Sequence, residues 1–285
     1  MKTTETPTPA RRRSPIFWVP TAYFGMGLPF VVLNMVAVLM YKGLGVSDAK
    51  IAFWTSLIML PWTLKPLWSP LLEMYRTKKF FVVLTQMVSG VTFGLIALSL
   101  HLPSFFAITI ALFAIVAFSG ATHDVACDGV YMDELNAQEQ AKYIGWQGAF
   151  YNVAKIIGTG LLVYLAGFLK DEYEGPAEDA VLYSWTVIMI VLGGVMFALG
   201  LYHTRMLPSG KHAHSVTSFS QSMAELWNVI RNFFTKKHIL YYICFIILYR
   251  LAEGFIMKIA PLFLRASRDV GGLGLSLTEI GTLNG

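Results

Sequence analysis

Seven ionisable side chains stand inside stretches that are otherwise apolar: Lys65, Asp124, Asp128, Lys155, Arg250, Glu253 and Lys258, with His123 beside Asp124. Charges at such depth are costly in lipid and persist where they face one another or a wet passage. Asp124 and Asp128 are four residues apart, which puts both carboxylates on one helix face. Two carboxylates that close in a low-dielectric setting do not both hold full charge cheaply, which suits a proton carrier. A structural charge cluster fits them equally well. If the fourth and fifth apolar runs form a hairpin turning near Gln138, Asp124 lies opposite Lys155, and an ion pair between them is expected. Arg250 and Glu253 are three apart and can neutralise each other. Lys258 lies nearer the end of its run and can snorkel to the interface.

Other chemistries are less well supported. His123 and Asp128 match a His-x4-Asp acyltransferase pattern, but five residues on one helix turn the side chains about 140° apart. A membrane-bound acyltransferase therefore stands as the alternative of another class. His212 and His214 are the remaining metal candidates, and two exposed histidines are ordinarily solvated. The two cysteines, Cys127 and Cys244, have neither zinc nor disulfide spacing and read as small buried apolar residues. No nucleotide-binding glycine loop is present, so the expected driver is the proton motive force and no cofactor is expected.

The elements that position these groups follow from composition. Hydrophobic residues make up 55% of the chain and charged residues only 14%, against about 25% charged in soluble domains. With a mean hydropathy of +0.57, the chain needs lipid as solvent, and it offers repeated runs of the roughly 20 apolar residues a span requires. Seven spans can be drawn, near 16–40, 49–72, 80–102, 104–128, 146–168, 181–203 and 238–264. Prolines interrupt the first (Pro20, Pro29), second (Pro61, Pro66, Pro70) and seventh (Pro261), as in bent helices around a cavity. The net charge of +5 comes from residues between the apolar runs rather than from a patch with interleaved aromatics, so nucleic acid is not the expected partner.

Loop charges set an expected orientation. A cytoplasmic N-terminus places Arg11 to Arg13, Arg76, Lys78, Lys79, Lys142, Arg205 and Arg231 inside, where basic residues accumulate. Residues 1–15 then form a cytoplasmic tail, 16–203 a six-helix bundle, 204–237 a cytoplasmic linker, and 238–285 the start of a second bundle. Met223, Leu226, Trp227, Ile230 and Phe234 recur at helical spacing within the linker, which predicts an amphipathic helix on the membrane surface.

Gly43-Leu44-Gly45-Val46-Ser47-Asp48-Ala49-Lys50-Ile51-Ala52 resembles Gly272-Leu273-Gly274-Leu275-Ser276-Leu277-Thr278-Glu279-Ile280-Gly281, with half the positions identical. Each reads as a turn and a serine cap opening a helix, and Ser276 with Glu279 makes a capping box. Internal similarity of this kind is expected of two homologous six-helix halves. On that reading the seventh span repeats the first, an eighth begins near Leu277, and the rest of a C-terminal bundle of the same protein is missing.

Three motifs carry a family resemblance. Leu60-Pro61-Trp62-Thr63-Leu64-Lys65-Pro66-Leu67-Trp68-Ser69-Pro70-Leu71 resembles the second span of AmpG-like muropeptide permeases of the major facilitator superfamily. Ala121-Thr122-His123-Asp124-Val125-Ala126-Cys127-Asp128 is similar to that family's fourth-span Gln-Asp-x-x-x-Asp signature, and Leu248-Tyr249-Arg250-Leu251-Ala252-Glu253 to its seventh-span Leu-Tyr-Lys-x-x-Asp. The loop Glu73 to Lys79, with Arg76 and Lys78, is similar to the superfamily's acidic-then-basic gating loop. The resemblance implies an all-α integral membrane fold, twelve helices in two bundles when complete, and alternating access. It also implies proton-driven uptake of anhydro-muropeptides across the bacterial inner membrane, by a protein expected to act as a monomer. Lys65, Asp124, Asp128, Arg250 and Glu253 are the matching positions. His123 replaces glutamine, Asn152 stands in place of arginine, and Lys155 falls at a usually apolar position.

The expected activity is import of a bulky sugar-containing solute, with an oligosaccharide or acetyl-CoA as alternative cargo. Lys65, His123, Asn34, Trp146, Tyr151 and Asn152 are the candidate solute contacts. Tyr23, Trp62, Trp146 and Tyr151 can stack on sugar rings, a role that competes with plain packing.

Overall fold

The computed structural model describes residues 13–74, 76–210 and 219–284, and among these every regular element is helical. The elements are α1 (Pro15–Gly43), α2 (Asp48–Leu57), α3 (Leu60–Leu64), α4 (Ser69–Met74), α5 (Lys78–Ser99) and α6 (Phe105–Glu134). They continue with α7 (Ala137–Asp171), α8 (Ala177–Met206), α9 (Phe219–Phe234), α10 (Ile239–Arg265) and α11 (Leu277–Asn284). Six of them, α1, α5, α6, α7, α8 and α10, are long and apolar enough to cross a membrane.

The second expected span is the exception, because it is broken into α2, α3, a 3-10 turn at Lys65–Leu67 and α4. Proline explains the breaks. Pro61 and Pro66 each sit in the first turn of a new segment, where the missing N–H loses nothing, and no helix can run through them intact. A broken helix leaves carbonyls unpaired at its end. Lys258 of α10 donates to one of them, Thr55 O, at 3.2 Å. The ammonium expected to snorkel therefore docks on the carbonyl end of α2, where the helix dipole favours a cation.

α1 and α7 are distorted where they meet. Pro29 lies inside α1 and is followed by a π segment, Val32–Val36, while α7 carries a π segment at Ile157–Leu162. The two π segments touch, and a side chain at Gly158 would collide with Val31. Small residues let backbones approach closely where packing rather than water drives association. The same device joins α5 to α8: a Cβ on Gly90 would come 3.0 Å from Gly193 O, and one on Gly193 2.8 Å from Gly90 O. α6 packs against α5 as well, and Phe93, Ile96, Phe113, Trp185 and Ile188 fill the core between them.

The repeated loops share backbone geometry. Gly45 and Gly274, equivalent in the two copies, hold φ of 76° and 67°, a left-handed conformation that favours glycine. A helix starts three residues later in each, at Asp48 and Leu277. Ser276 and Glu279 form the capping box, with Ser276 N–H donating to Glu279 Oε2 at 2.7 Å and Glu279 N–H to Ser276 Oγ at 3.2 Å. Ser276→Ala should destabilise this start by about 1 kcal/mol, read as roughly fivefold faster hydrogen exchange at the first amides of α11.

α9 packs on α4, with Met223, Leu226 and Ile230 half-buried and Trp227 and Phe234 exposed. α10 touches α1 toward its Gly43 end and α2 at Thr55 but is otherwise exposed. Cys244 is consequently exposed on α10 rather than buried, whereas Cys127 is buried as expected. His212 and His214 lie outside the described residues.

Candidate functional site

The break in the second span places its side chains against α6. Lys65 Nζ lies 2.6 Å from Asp124 Oδ2, and Trp62 Nε1 donates to the same oxygen at 2.9 Å. Trp68 Nε1 donates to Thr122 Oγ1 at 3.1 Å, and its ring lies 4.7 Å from Phe118. Trp62 fits because Gly120 leaves room: a Cβ there would meet the indole at 2.8 Å. Sequence alone places Lys65 and Asp124 fifty-nine residues apart; the broken helix brings them together.

The ion pair expected between Asp124 and Lys155 is therefore corrected. Helix α6 ends at Glu134 and α7 begins at Ala137, capped by Asn136 with Glu139. The hairpin turns at Leu135 and Asn136, earlier than Gln138, so the position level with Asp124 is near Gln147. Lys155 lies two turns further along, about 12 Å by helical rise. Its ammonium sits over the Tyr151 ring at 5.3 Å instead.

Gln147 belongs to a second polar group, one turn along α6 from Asp124, at Asp128. Gln147 Nε2 donates to Tyr23 Oη at 2.7 Å, and Tyr23 O–H donates to Asp128 Oδ1 at 2.8 Å. Tyr23 packs edge-on against Tyr131, 6.0 Å between ring centres. These residues, with Gln140 and Ile144, line a cavity of about 480 Å³. Asp128 is exposed to it while Asp124 is buried, so the two carboxylates on one helix have different partners. A larger groove of about 510 Å³ between α2 and α6 is lined by Trp54, Leu57, Ile58, Phe106 and Ile110, with no charged side chain.

The remaining candidates fall around these groups. Tyr151 and Trp62 both pack on Phe30, at 6.3 and 5.5 Å. Trp146 stacks on Phe150 at 5.8 Å, and Asn152 is exposed on α7. Asn34, in the π segment of α1, is buried and donates to Phe30 O at 2.9 Å, so its amide serves the distorted helix. In the loop before α5, Lys78 pairs with Asp133 at 3.0 Å, Arg76 lies 5.8 Å over the Phe80 ring, and Lys79 opens α5. Arg250 lies exposed on α10; the side chains of Glu253 and Glu73 lie outside the described residues.

His123 and Asp128 do not converge. His123 points into the bundle, where Gln86 Nε2 lies 3.0 Å from its Nε2, while Asp128 faces the cavity. Gln86 Oε1 is 2.8 Å from His203 Nδ1, and His203 Nε2 is 2.9 Å from Thr21 Oγ1. Sequence reasoning passed over Gln86, His203 and Gln147. The available signal was a neutral polar side chain within an apolar run, weaker than a charge.

Six helices long and apolar enough to cross a membrane, around a charge pair and a polar cavity, define an integral membrane protein. Residues 21–284 match the Major Facilitator Superfamily, and the chain belongs to it. That family is one of membrane transporters. Over 246 residues the chain is 24% identical to the anhydromuropeptide permease of Escherichia coli (strain K12), covering 83% of this chain and 45% of that protein. Over 250 residues it is also 24% identical to an uncharacterized protein of Haemophilus influenzae, covering 85% of this chain and 55% of the relative. The chain thus spans about half the length of the curated relatives it matches.

Proposed function

We propose that the chain supplies the solute- and proton-handling bundle of a proton-coupled importer of sugar-containing solutes, with anhydro-muropeptides the favoured cargo. The observation that carries this reading is the Lys65–Asp124 pair, set on a broken helix and flanked by Trp62, Phe30 and Tyr151. A carboxylate held by an ammonium in lipid binds a proton only by giving up its partner, so proton uptake and movement of the α3 segment are one event. The released ammonium is then free for an anionic group of the solute. The aromatic rings supply flat apolar faces of the kind that stack on sugars. The name of the Escherichia coli relative favours a muropeptide over another glycoconjugate.

Transport follows by alternating access. α10 leans on α1 toward its Gly43 end and, through Lys258, on Thr55 in the last turn of α2, and α11 crosses α7, where a Cβ on Gly167 would meet Thr278 N at 2.5 Å.

The test is uptake by the full-length protein in vesicles, offering anhydro-muropeptide, an oligosaccharide and acetyl-CoA with and without an imposed pH gradient. Muropeptide uptake driven by the gradient is expected, and Asp124→Asn should abolish the gradient's effect. Equal uptake without a gradient, or an unimpaired Asp124→Asn, would refute proton coupling. Preference for another solute would refute the cargo alone.

A further inference from the structure

A second set of titratable groups lies inside the bundle, away from the charge pair. His123 of α6, Gln86 of α5, His203 of α8 and Thr21 of α1 form one hydrogen-bonded chain across four helices, with steps of 3.0, 2.8 and 2.9 Å. His123 is 2% exposed, and Gln86 and His203 are fully buried, so water does not substitute for a missing partner. Gln86 is held from the α1 side, where a Cβ on Gly25 would come within 2.7 Å of its Nε2.

A primary amide has one donor end and one acceptor end, and Gln86 presents one to each histidine. As it stands, its N–H faces His123 Nε2, which must carry a lone pair. Its carbonyl faces His203 Nδ1, which must carry a proton. His123 is then neutral, with its proton on Nδ1, whereas His203 can be either neutral or an imidazolium. Rotating the amide by half a turn reverses this: His123 Nε2 carries the proton and His203 Nδ1 the lone pair, so His203 is the ring that must be neutral.

We propose that Gln86 joins His123 and His203 into a single proton-binding unit that holds one excess proton, on either ring but never on both. The amide's orientation selects the ring that can carry it: His203, bonded to Thr21 near the start of α1, as the amide stands, and His123 after the half-turn. His123 Nδ1 is buried without a hydrogen-bond partner, so the unit keeps an unspent valence at its α6 end. The charged groups acting on it are Lys65 at His123 and Lys79 of α5 at His203. What the stored proton is used for rests on the coupling proposed above; the rule of one proton does not.

The test is side-chain nitrogen NMR on the full chain in lipid, with labelled histidine and no solute, from about pH 5 to about pH 8. His123→Gln and His203→Gln assign the two rings. When both rings are neutral, both should carry the proton on Nδ1 or both on Nε2, never one of each, and their summed excess protonation should level off at one. Gln86→Glu, whose carboxylate accepts from both rings, should raise that sum twofold. Mixed neutral tautomers, two imidazolium rings in the unaltered chain, no protonation of either ring over this range, or a sum unchanged by Gln86→Glu would each overturn the proposal. Because no transport is measured, these outcomes are separate from failure of the transport reading.

Discussion

Replacing either partner of the Lys65–Asp124 pair with an apolar residue is expected to cost about 3 kcal/mol or more of stability. Replacing both should cost far less. Asp124 is buried, and its Oδ2 accepts from both Lys65 and Trp62. Asp124→Leu leaves an ammonium with no counter-charge beside lipid-facing helices, and Lys65→Met leaves a buried carboxylate with one indole donor. The double variant removes both charges and their desolvation penalty together. Thermal unfolding in detergent should therefore rank the double variant above both singles, a strong coupling in a double-mutant cycle. The swap Lys65→Asp with Asp124→Lys should likewise recover folding lost in each single variant. On the proposed coupling, uptake should remain at background in the apolar double variant, which has no charge left for a proton to neutralise. Additive losses of stability would show that the two side chains do not act as a pair.

The second large effect concerns two glycines one turn apart. Gly90→Leu should abolish a stable bundle, whereas Gly94→Leu should be tolerated. Gly90 lies against the backbone of α8, with Phe197 N 2.8 Å from the site of a Cβ, while a Cβ on Gly94 meets nothing within 4 Å. Backbone does not move aside as a flexible side chain does, so α5 and α8 would have to separate along their contact. Overpacking of this kind costs about 1–3 kcal/mol even in cores that can adjust, and a helix crossing adjusts less. The measurement is the yield and melting temperature of monodisperse protein in detergent. Similar losses for both variants would show that the crossing is not where α5 and α8 meet.

Much of this protein was legible in its order of residues. Long apolar runs with few charges admit only lipid as solvent, and backbone hydrogen bonding in lipid then requires helices; that argument needs no tertiary contact. The glycine turns at Gly45 and Gly274 and the Ser276–Glu279 cap are local as well, set by residues within a few positions of one another. Lys65 and Asp124 stood out as letters because a charge in an apolar run is conspicuous.

Which charge meets which was decided only by the fold. Asp124 finds Lys65 rather than Lys155 because three prolines break the second span and bring Lys65 inward, and because the α6–α7 hairpin turns earlier than the apolar pattern suggested. A small shift at a turn is doubled across a hairpin, and at 1.5 Å per residue it separates two charges by more than a hydrogen bond can span. The chain from His123 to Thr21 was equally hidden, since it joins four helices through uncharged or half-charged side chains. Gly90 and Gly94 are indistinguishable as letters. Pattern along a chain reports the solvent each segment needs, whereas partners are set by how rigid helices pack in three dimensions.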